Sequence, residues 1–239
     1  MALSRRSALI VAWTGGAAFA ASLGWFVYSY LVVFGVPAPP GDVLGPLATN
    51  VLLFSVFALH HSVLARSGPK AVVRRLVTPE LERSAYTWVA SVMFIAVCNW
   101  WQPVPGVLYE LRGPWRALGW TVQVVGIALT IRAARRLDVL DLAGVRAVQH
   151  SDGGGGNDAP TLNTGGLYGF VRHPLYFSWM LFVFGTPTMT ATRASFAVIS
   201  TLYLMLAIPL EERGLVETFG SDYDAYRRRV RSRMIPWIY

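Results

Sequence analysis

Long apolar runs separated by short polar, arginine-bearing segments dominate the chain, and six of them, at 8–34, 44–65, 85–102, 115–131, 174–190 and 194–210, have the length and make-up of membrane-crossing helices. The pattern predicts an all-α fold, a polytopic transmembrane helical bundle of about six spans with a short interfacial helix near the C-terminus. The first run follows Arg5-Arg6 and contains Ala18-Phe19-Ala20, the form of a signal-peptide cleavage region. Its apolar residues continue past Trp25 to Phe34, so it reads as an uncleaved span. No internal repeat of the kind that builds inverted-repeat transporters is visible.

The positions of the charges orient these spans. Lys and Arg near span ends stay on the cytoplasmic side. With the N-terminus inside, all of the 21 basic residues except Arg112, Arg116 and Arg193 fall in cytoplasmic segments. Both termini and any active site are therefore expected to face the cytoplasm, at the inner membrane if the source is bacterial. The outer connections around Pro37–Gly41 and Ala191–Arg193 are too short for an ectodomain, which disfavours a receptor of external ligands. The expected division is 1–134 for the N-terminal transmembrane helices and 135–239 for a cofactor-binding region with the last helical hairpin and a C-terminal helix, together one integrated membrane domain. The glycine-rich stretch Ser151–Asp158 reads as a flexible linker. It has no preceding strand and no GxGxxG pattern, so it is not a dinucleotide loop.

Composition narrows the function. Of 239 residues, 54% are hydrophobic and 14% charged, with a mean hydropathy of +0.44, which excludes an ordinary soluble domain. The net charge of +8 lies between apolar runs rather than on a soluble basic stripe, so it is a topology signal and not a nucleic-acid footprint. The single Cys98 rules out an internal disulfide, a CxxC pair and a cysteine-based zinc site.

Candidate chemistry concentrates after Leu162. Gly165, Gly166 and Gly169 allow tight turns, and Arg172-His173-Pro174 then opens an apolar helix with Pro174 near its first position. Exposed N–H groups at that helix start, together with Arg172, suit a carboxylate or phosphate; the alternative is a snorkelling arginine beside a cap. Glu211-Glu212 stand where the sixth span emerges on the same side, with Arg172 and Arg213 as prospective partners. Gly220 suits a C-cap, and Ser221 with Asp224 approximates a capping box for a helix reaching about Arg231. Tyr223 and Tyr226 share one face of it and either cover a pocket or anchor the helix at the interface, where the following arginines attract anionic lipid. In the N-terminal half, His60-His61-Ser62 precedes Arg66. Adjacent helical residues point about 100° apart, so these histidines do not make a natural metal pair; a role in a substrate pocket, in proton transfer, or as ordinary interfacial residues is open.

The run Gly166-Leu167-Tyr168-Gly169-Phe170-Val171-Arg172-His173-Pro174-Leu175-Tyr176, followed by Glu211-Glu212-Arg213-Gly214-Leu215 and Phe219-Gly220-Ser221-Asp222-Tyr223-Asp224-Ala225-Tyr226, resembles the integral-membrane isoprenylcysteine carboxyl methyltransferases and the related phospholipid methyltransferases. The shared pattern is RHPxY and then EExxLxxxFGxxYxxY, over the last third of the chain. Within that superfamily the sequence is most similar to the bacterial methanethiol S-methyltransferases. His61-Ser62-Val63-Leu64-Ala65-Arg66, Leu81-Glu82-Arg83-Ser84-Ala85-Tyr86 and Thr186-Pro187-Thr188-Met189-Thr190 carry this likeness, while Leu137–Gly144 departs from that group's His-Phe-Asp-Leu-Phe-Gly run.

The resemblance implies S-adenosyl-L-methionine as cofactor. It implies a cofactor site lined by Tyr168, Arg172, His173, Pro174, Tyr176, Glu211, Glu212 and Tyr223. For catalysis it leaves Arg172, Glu212 and His61 as candidates, and for the substrate His60, His61 and Arg66. The expected partners are a small or lipophilic thiol and membrane lipids, with no nucleic acid and no obligate protein partner. An isoprenylcysteine carboxylate or a phospholipid amine is the alternative acceptor, and a non-catalytic membrane scaffold or transporter is the alternative of another class.

Overall fold

A computed structural model describes residues 4–64, 78, 81–134, 144–149 and 161–239. Arg66, the 151–158 linker and the 137–143 stretch lie outside the described residues. In chain order the elements are α1 (Arg5–Tyr28), continued by a π-helical turn over Ser29–Val33, α2 (Leu44–Leu64), α3 (Glu82–Trp100), β1 (Val107–Glu110), α4 (Pro114–Ala134), α5 (Val145–Gln149), α6 (Pro174–Phe184), β2 (Thr188–Thr190), α7 (Ala191–Phe219) and α8 (Ser221–Arg229). Among the described residues three helical stretches, Arg5–Val33, Leu44–Ser62 and Ala191–Phe219, are long and apolar enough to cross a membrane. The runs at 85–102 and 115–131 form α3 and α4, which are helical but less apolar.

The chain divides into two compact units. The first holds residues 1–105 and 137–157. Helices α1 and α2 start at side-chain caps: Ser4 Oγ accepts the Ser7 N–H, and Asp42 accepts the N–H groups of Leu44 and Gly45. Helix α3 packs on α1 and α2. Aromatic rings fill that contact, with Phe94 lying 5.4 Å from Phe26 and 5.2 Å from Phe57. The buried Asn50 is satisfied by two bonds to the Gln102 backbone, at 2.9 and 2.7 Å.

The second unit holds residues 106–136 and 158–239. Here β1 pairs antiparallel with β2, in the register Val107↔Thr190 and Glu110↔Thr188. This small sheet is absent from the all-helical expectation. The run expected as a span over 174–190 divides because its composition changes: α6 closes with the Gly185 N–H on Leu181 O, Pro187 cannot prolong it, and the β-branched Thr188 and Thr190 take the extended state. At 11 residues α6 is ~16 Å long, below the ~20 residues of a full span. The run at 194–210 instead extends through Pro209 to Phe219 as one helix of 29 residues. Gly220, at φ +52°, ends it and directly precedes α8. The expected Ser221/Asp224 capping box does not form. Gly220 is the N-cap with no side-chain bond, and Asp224 pairs with Arg227 at 3.0 Å instead.

Helices α4 and α6 meet through Gly126. A Cβ at that position would stand 2.6 Å from the Phe182 backbone nitrogen and 2.9 Å from the Ser178 carbonyl oxygen. Gly126→Ala is expected to destabilise the protein by about 1–3 kcal/mol, because rigid backbone would have to give way. Gly24→Ala in α1, where nothing lies within 4 Å, should change it by less than about 1 kcal/mol. Thermal melting of the purified protein in detergent checks both.

Candidate active site

The site is built from the start of α6, the C-terminal part of α7 and the segment after α8, all in the second unit. Pro174 occupies the first position of α6 and His173 its N-cap, at φ −121° with no side-chain bond to the helix. The backbone just ahead of the helix is held by the C-terminal segment: the Arg172 N–H donates to Ser232 O (3.0 Å) and the His173 N–H to Arg233 O (2.8 Å). These bonds fix the direction in which both side chains leave the chain.

Arg172 points into the protein. Its Nε donates to Glu212 Oε1 at 2.7 Å, and its Nη1 donates to Val230 O (2.7 Å) and Arg231 O (2.8 Å). The side chains of Arg172 and Glu212 are each only 6% exposed. His173 Nε2 approaches the same Glu212 oxygen at 3.2 Å, and its Nδ1 lies 3.5 Å from Glu211 Oε2. Tyr176 donates its hydroxyl to Glu211 Oε2 at 2.8 Å and stacks on the His173 ring with centroids 5.3 Å apart. Arg233 Nε faces Glu212 Oε2 at 3.6 Å. Two stretches forty residues apart thus form one cluster, with Glu212 at its centre.

The aromatic residues wall this cluster. Tyr223, Tyr226 and Val230 form a buried group against Tyr168, Leu215, Val216 and Phe219, and Tyr226 donates its hydroxyl to Tyr168 O at 2.8 Å. Burial first, and then the charge of Glu212, pushes the Tyr223 hydroxyl up to about 12. Burial also raises Tyr226. Both stay neutral at physiological pH. The buried Tyr223 hydroxyl lies beside the Glu212 and Arg172 side chains.

A cleft of about 530 Å³ opens between α7 and α8, bordered by Glu212, Arg213, Val216, Glu217, Asp224 and Arg233. Of the residues that the sequence nominates for a cofactor, Glu212 is the one lining it; Arg172, His173, Tyr176 and Glu211 reach Glu212 directly or through one another, and Tyr168 and Tyr223 belong to the aromatic wall.

His60 and His61 sit near the end of α2, in the first unit. His61 Nδ1 is 2.7 Å from the Tyr86 hydroxyl on α3, and the His60 ring stacks on Tyr86 with centroids 5.7 Å apart. Three residues here carry no site role in the sequence pattern: Tyr86, which enters it only through the family likeness, Arg233, which reads as one of the lipid-attracting arginines, and Tyr239. The signal for Tyr239 was Pro209. A proline inside a helix leaves the carbonyl four residues earlier without its N–H, and the Tyr239 hydroxyl donates to that carbonyl, Met205 O, at 3.2 Å.

Removing one partner of a buried ion pair leaves the other uncompensated. Arg172→Ala is therefore expected to cost about 3 kcal/mol of stability, whereas Glu211→Ala, at a side chain 46% exposed, should cost less than about 1 kcal/mol. Chemical denaturation of the detergent-solubilised protein separates the two.

With this geometry in view, residues 89–230 match the family described as a protein of unknown function, DUF1295. The chain is 35% identical over 189 residues to a methanethiol S-methyltransferase 1 of Bradyrhizobium diazoefficiens, a match covering 79% of this chain and 66% of that protein, so a third of that relative lies beyond it. It is 33% identical over 216 residues to a methanethiol S-methyltransferase of Mycobacterium tuberculosis, covering 90% of this chain and 87% of that one. Human nurim is 28% identical over 183 residues, 73% of this chain and 70% of nurim. No solved structure matches. Both RHPxY and the two glutamates fall inside the matched region, and the chain belongs to the DUF1295 family together with the methanethiol S-methyltransferases.

Proposed function

We propose that this chain is an S-adenosylmethionine-dependent integral-membrane methyltransferase acting on a small or lipophilic thiol, methanethiol-like in size. The observation that carries this reading is the buried Arg172–Glu212–His173 cluster bordering a cleft with both signs of charge, in a chain whose relatives are named as thiol methyltransferases. The cleft's chemistry fits the cofactor. Its arginines suit a carboxylate, while Glu212, Glu217 and Asp224 suit an ammonium and a sulfonium. Its volume lies within the range of small-molecule sites. S-adenosylmethionine, when bound, supplies a methyl group on a positively charged sulfur.

The chain's own task is positioning and charge placement. The acceptor sulfur has to be held within ~3–3.5 Å of the carbon it attacks, in line with the leaving group. In this reading Arg172 and Glu212 fix the wall of the donor site, with His173, Pro174, Tyr176, Glu211, Tyr168 and Tyr223 completing it. The thiol must also lose its proton, since the thiolate is the nucleophile and a free thiol titrates near ~8.5. His61 is assigned to that step as base or orienting group, with His60 and Arg66 as residues for the acceptor; the His61 contact with Tyr86 supports a fixed ring. Transfer to methanethiol forms one carbon–sulfur bond, breaks one in the donor and releases the thiol proton, giving dimethyl sulfide.

The proposed setting is a multi-pass protein of a bacterial cytoplasmic membrane, six-spanning, with both termini and the active site on the cytoplasmic side. Three apolar helices, the positions of the arginines and the bacterial relatives support it. Residues 1–134 then serve as membrane helices and 135–239 as the donor-binding region of one domain.

S-adenosylhomocysteine should bind the purified protein, and Arg172→Ala or Glu212→Ala should weaken it at least tenfold, about 1.4 kcal/mol, by calorimetry. With isotope-labelled donor and a panel of methanethiol, a prenylcysteine and a phospholipid amine, mass spectrometry should find the label in dimethyl sulfide. Absence of any binding heat points to a non-catalytic membrane protein instead, and label in the carboxylate or amine overturns the thiol assignment.

A further inference from the structure

Resting on the donor-site reading above, we propose that Arg233, held in place by Tyr239 and Pro209, is the cation that receives the donor's carboxylate, and that Arg172 is an internal clamp without that role. The two arginines differ in what they have left to offer. Arg172 has its Nε committed to Glu212 and its Nη1 to two backbone carbonyls, and its side chain is 6% exposed. Arg233 lines the cleft, is 36% exposed, and its nearest acid is Glu212 at 3.6 Å, beyond hydrogen-bond length. A guanidinium with one loose acidic neighbour and an open face suits an incoming carboxylate, and its planar fork permits two parallel bonds.

The guanidinium is also pre-set. Its carbon lies 5.2 Å from the centroid of the Tyr239 ring, and Nη1 donates to the Tyr239 hydroxyl at 3.2 Å. That hydroxyl in turn donates to Met205 O, the carbonyl released by Pro209. The Tyr239 backbone carbonyl accepts from the N–H groups of Met234 and Ile235, which closes the last residues into a compact turn. The Arg233 carbonyl meanwhile accepts the His173 N–H at the start of α6. A break in the α7 backbone bonding, a phenol and an arginine therefore form one chain of contacts that ends at the cleft. Ordering a long side chain before the ligand arrives reduces the entropy lost on binding. Tyr239 and Pro209 are positioning residues in this arrangement.

The other cleft arginines are less suited. Arg227 pairs with Asp224 at 3.0 Å on the exposed face of α8. Arg213 has no aromatic support of the kind Tyr239 gives Arg233 among the ring contacts of the described residues.

Calorimetric titration of the full-length protein in detergent with two probes tests the proposal: S-adenosylhomocysteine, and its decarboxylated analogue, which differs only in the group at issue. The wild-type protein should bind the first at least tenfold more tightly. In Arg233→Ala that ratio should fall below about threefold, from weaker binding of S-adenosylhomocysteine alone. Tyr239→Phe, which keeps the ring and loses both hydroxyl bonds, should give an intermediate ratio and an unchanged KM for the thiol. Arg228→Ala, on α8 outside the cleft, should retain the full ratio. If Arg233→Ala melts early, Arg233→Gln gives the same readout without the charge. A tenfold preference that survives Arg233→Ala or Arg233→Gln overturns the inference while the donor-site reading stands. Failure of the wild-type protein to bind either probe overturns both.

Discussion

The second unit is organised by one electrostatic constraint: Glu212 is a carboxylate on an apolar helix with almost no access to water. A charge in that position is tolerated only when it is paired and its remaining lone pairs are occupied. Arg172 supplies the pair and His173 the second contact on the same oxygen. Arg172 then needs acceptors for its other donors, and the carbonyls of Val230 and Arg231 provide them. The demand is thereby passed to the C-terminal segment, which must lie against the start of α6. The placement of the last ten residues is thus a consequence of a single glutamate, and so is the fixed backbone at His173.

This arrangement separates two tasks that are easily merged when only residue types are considered. A buried arginine whose Nε and Nη1 are committed to protein acceptors maintains shape. A half-exposed arginine propped from behind by an aromatic ring can recognise a ligand, because the donors it does not spend on that support are already directed. The cleft between α7 and α8 carries acids from α7 and α8 and cations from α7, α8 and the C-terminal segment, and a zwitterionic ligand with an added positive sulfur matches such a surface. The aromatic group of Tyr168, Tyr223 and Tyr226 packs beside it, with the buried Tyr223 and Tyr226 hydroxyls neutral, which lowers the local dielectric and strengthens those charge contacts.

Much of this was legible in the sequence. Two acids on an apolar helix and an arginine ahead of a proline-started helix are each expensive alone and inexpensive together, so their joint presence argued for contact before any coordinates. Helices α1 to α4 and α7 follow directly from the apolar runs. What escaped depends on detail that hydropathy averages away. The run after Pro174 divides at Gly185 and Pro187, where three threonines favour strand over helix, a local change that an average over the whole run conceals. Asp224 suits a capping box by spacing, but an arginine three residues on competes for it. Arg233 was hidden in a run of arginines that reads as attraction to anionic lipid, and only the fold singles it out by placing Tyr239 under it. The histidines of α2 were found, but their partner Tyr86 was not, because nothing in the spacing of two helices joined by a long segment announces a contact between them.

The most direct measurement is an experimental structure of the protein with S-adenosylhomocysteine bound. The ligand is expected in the cleft between α7 and α8, its amino-acid end against Glu212 and Arg233, with the Arg172–Glu212 bond unbroken. Ligand density elsewhere, or an Arg172 guanidinium that has left Glu212 to hold the carboxylate itself, would contradict it.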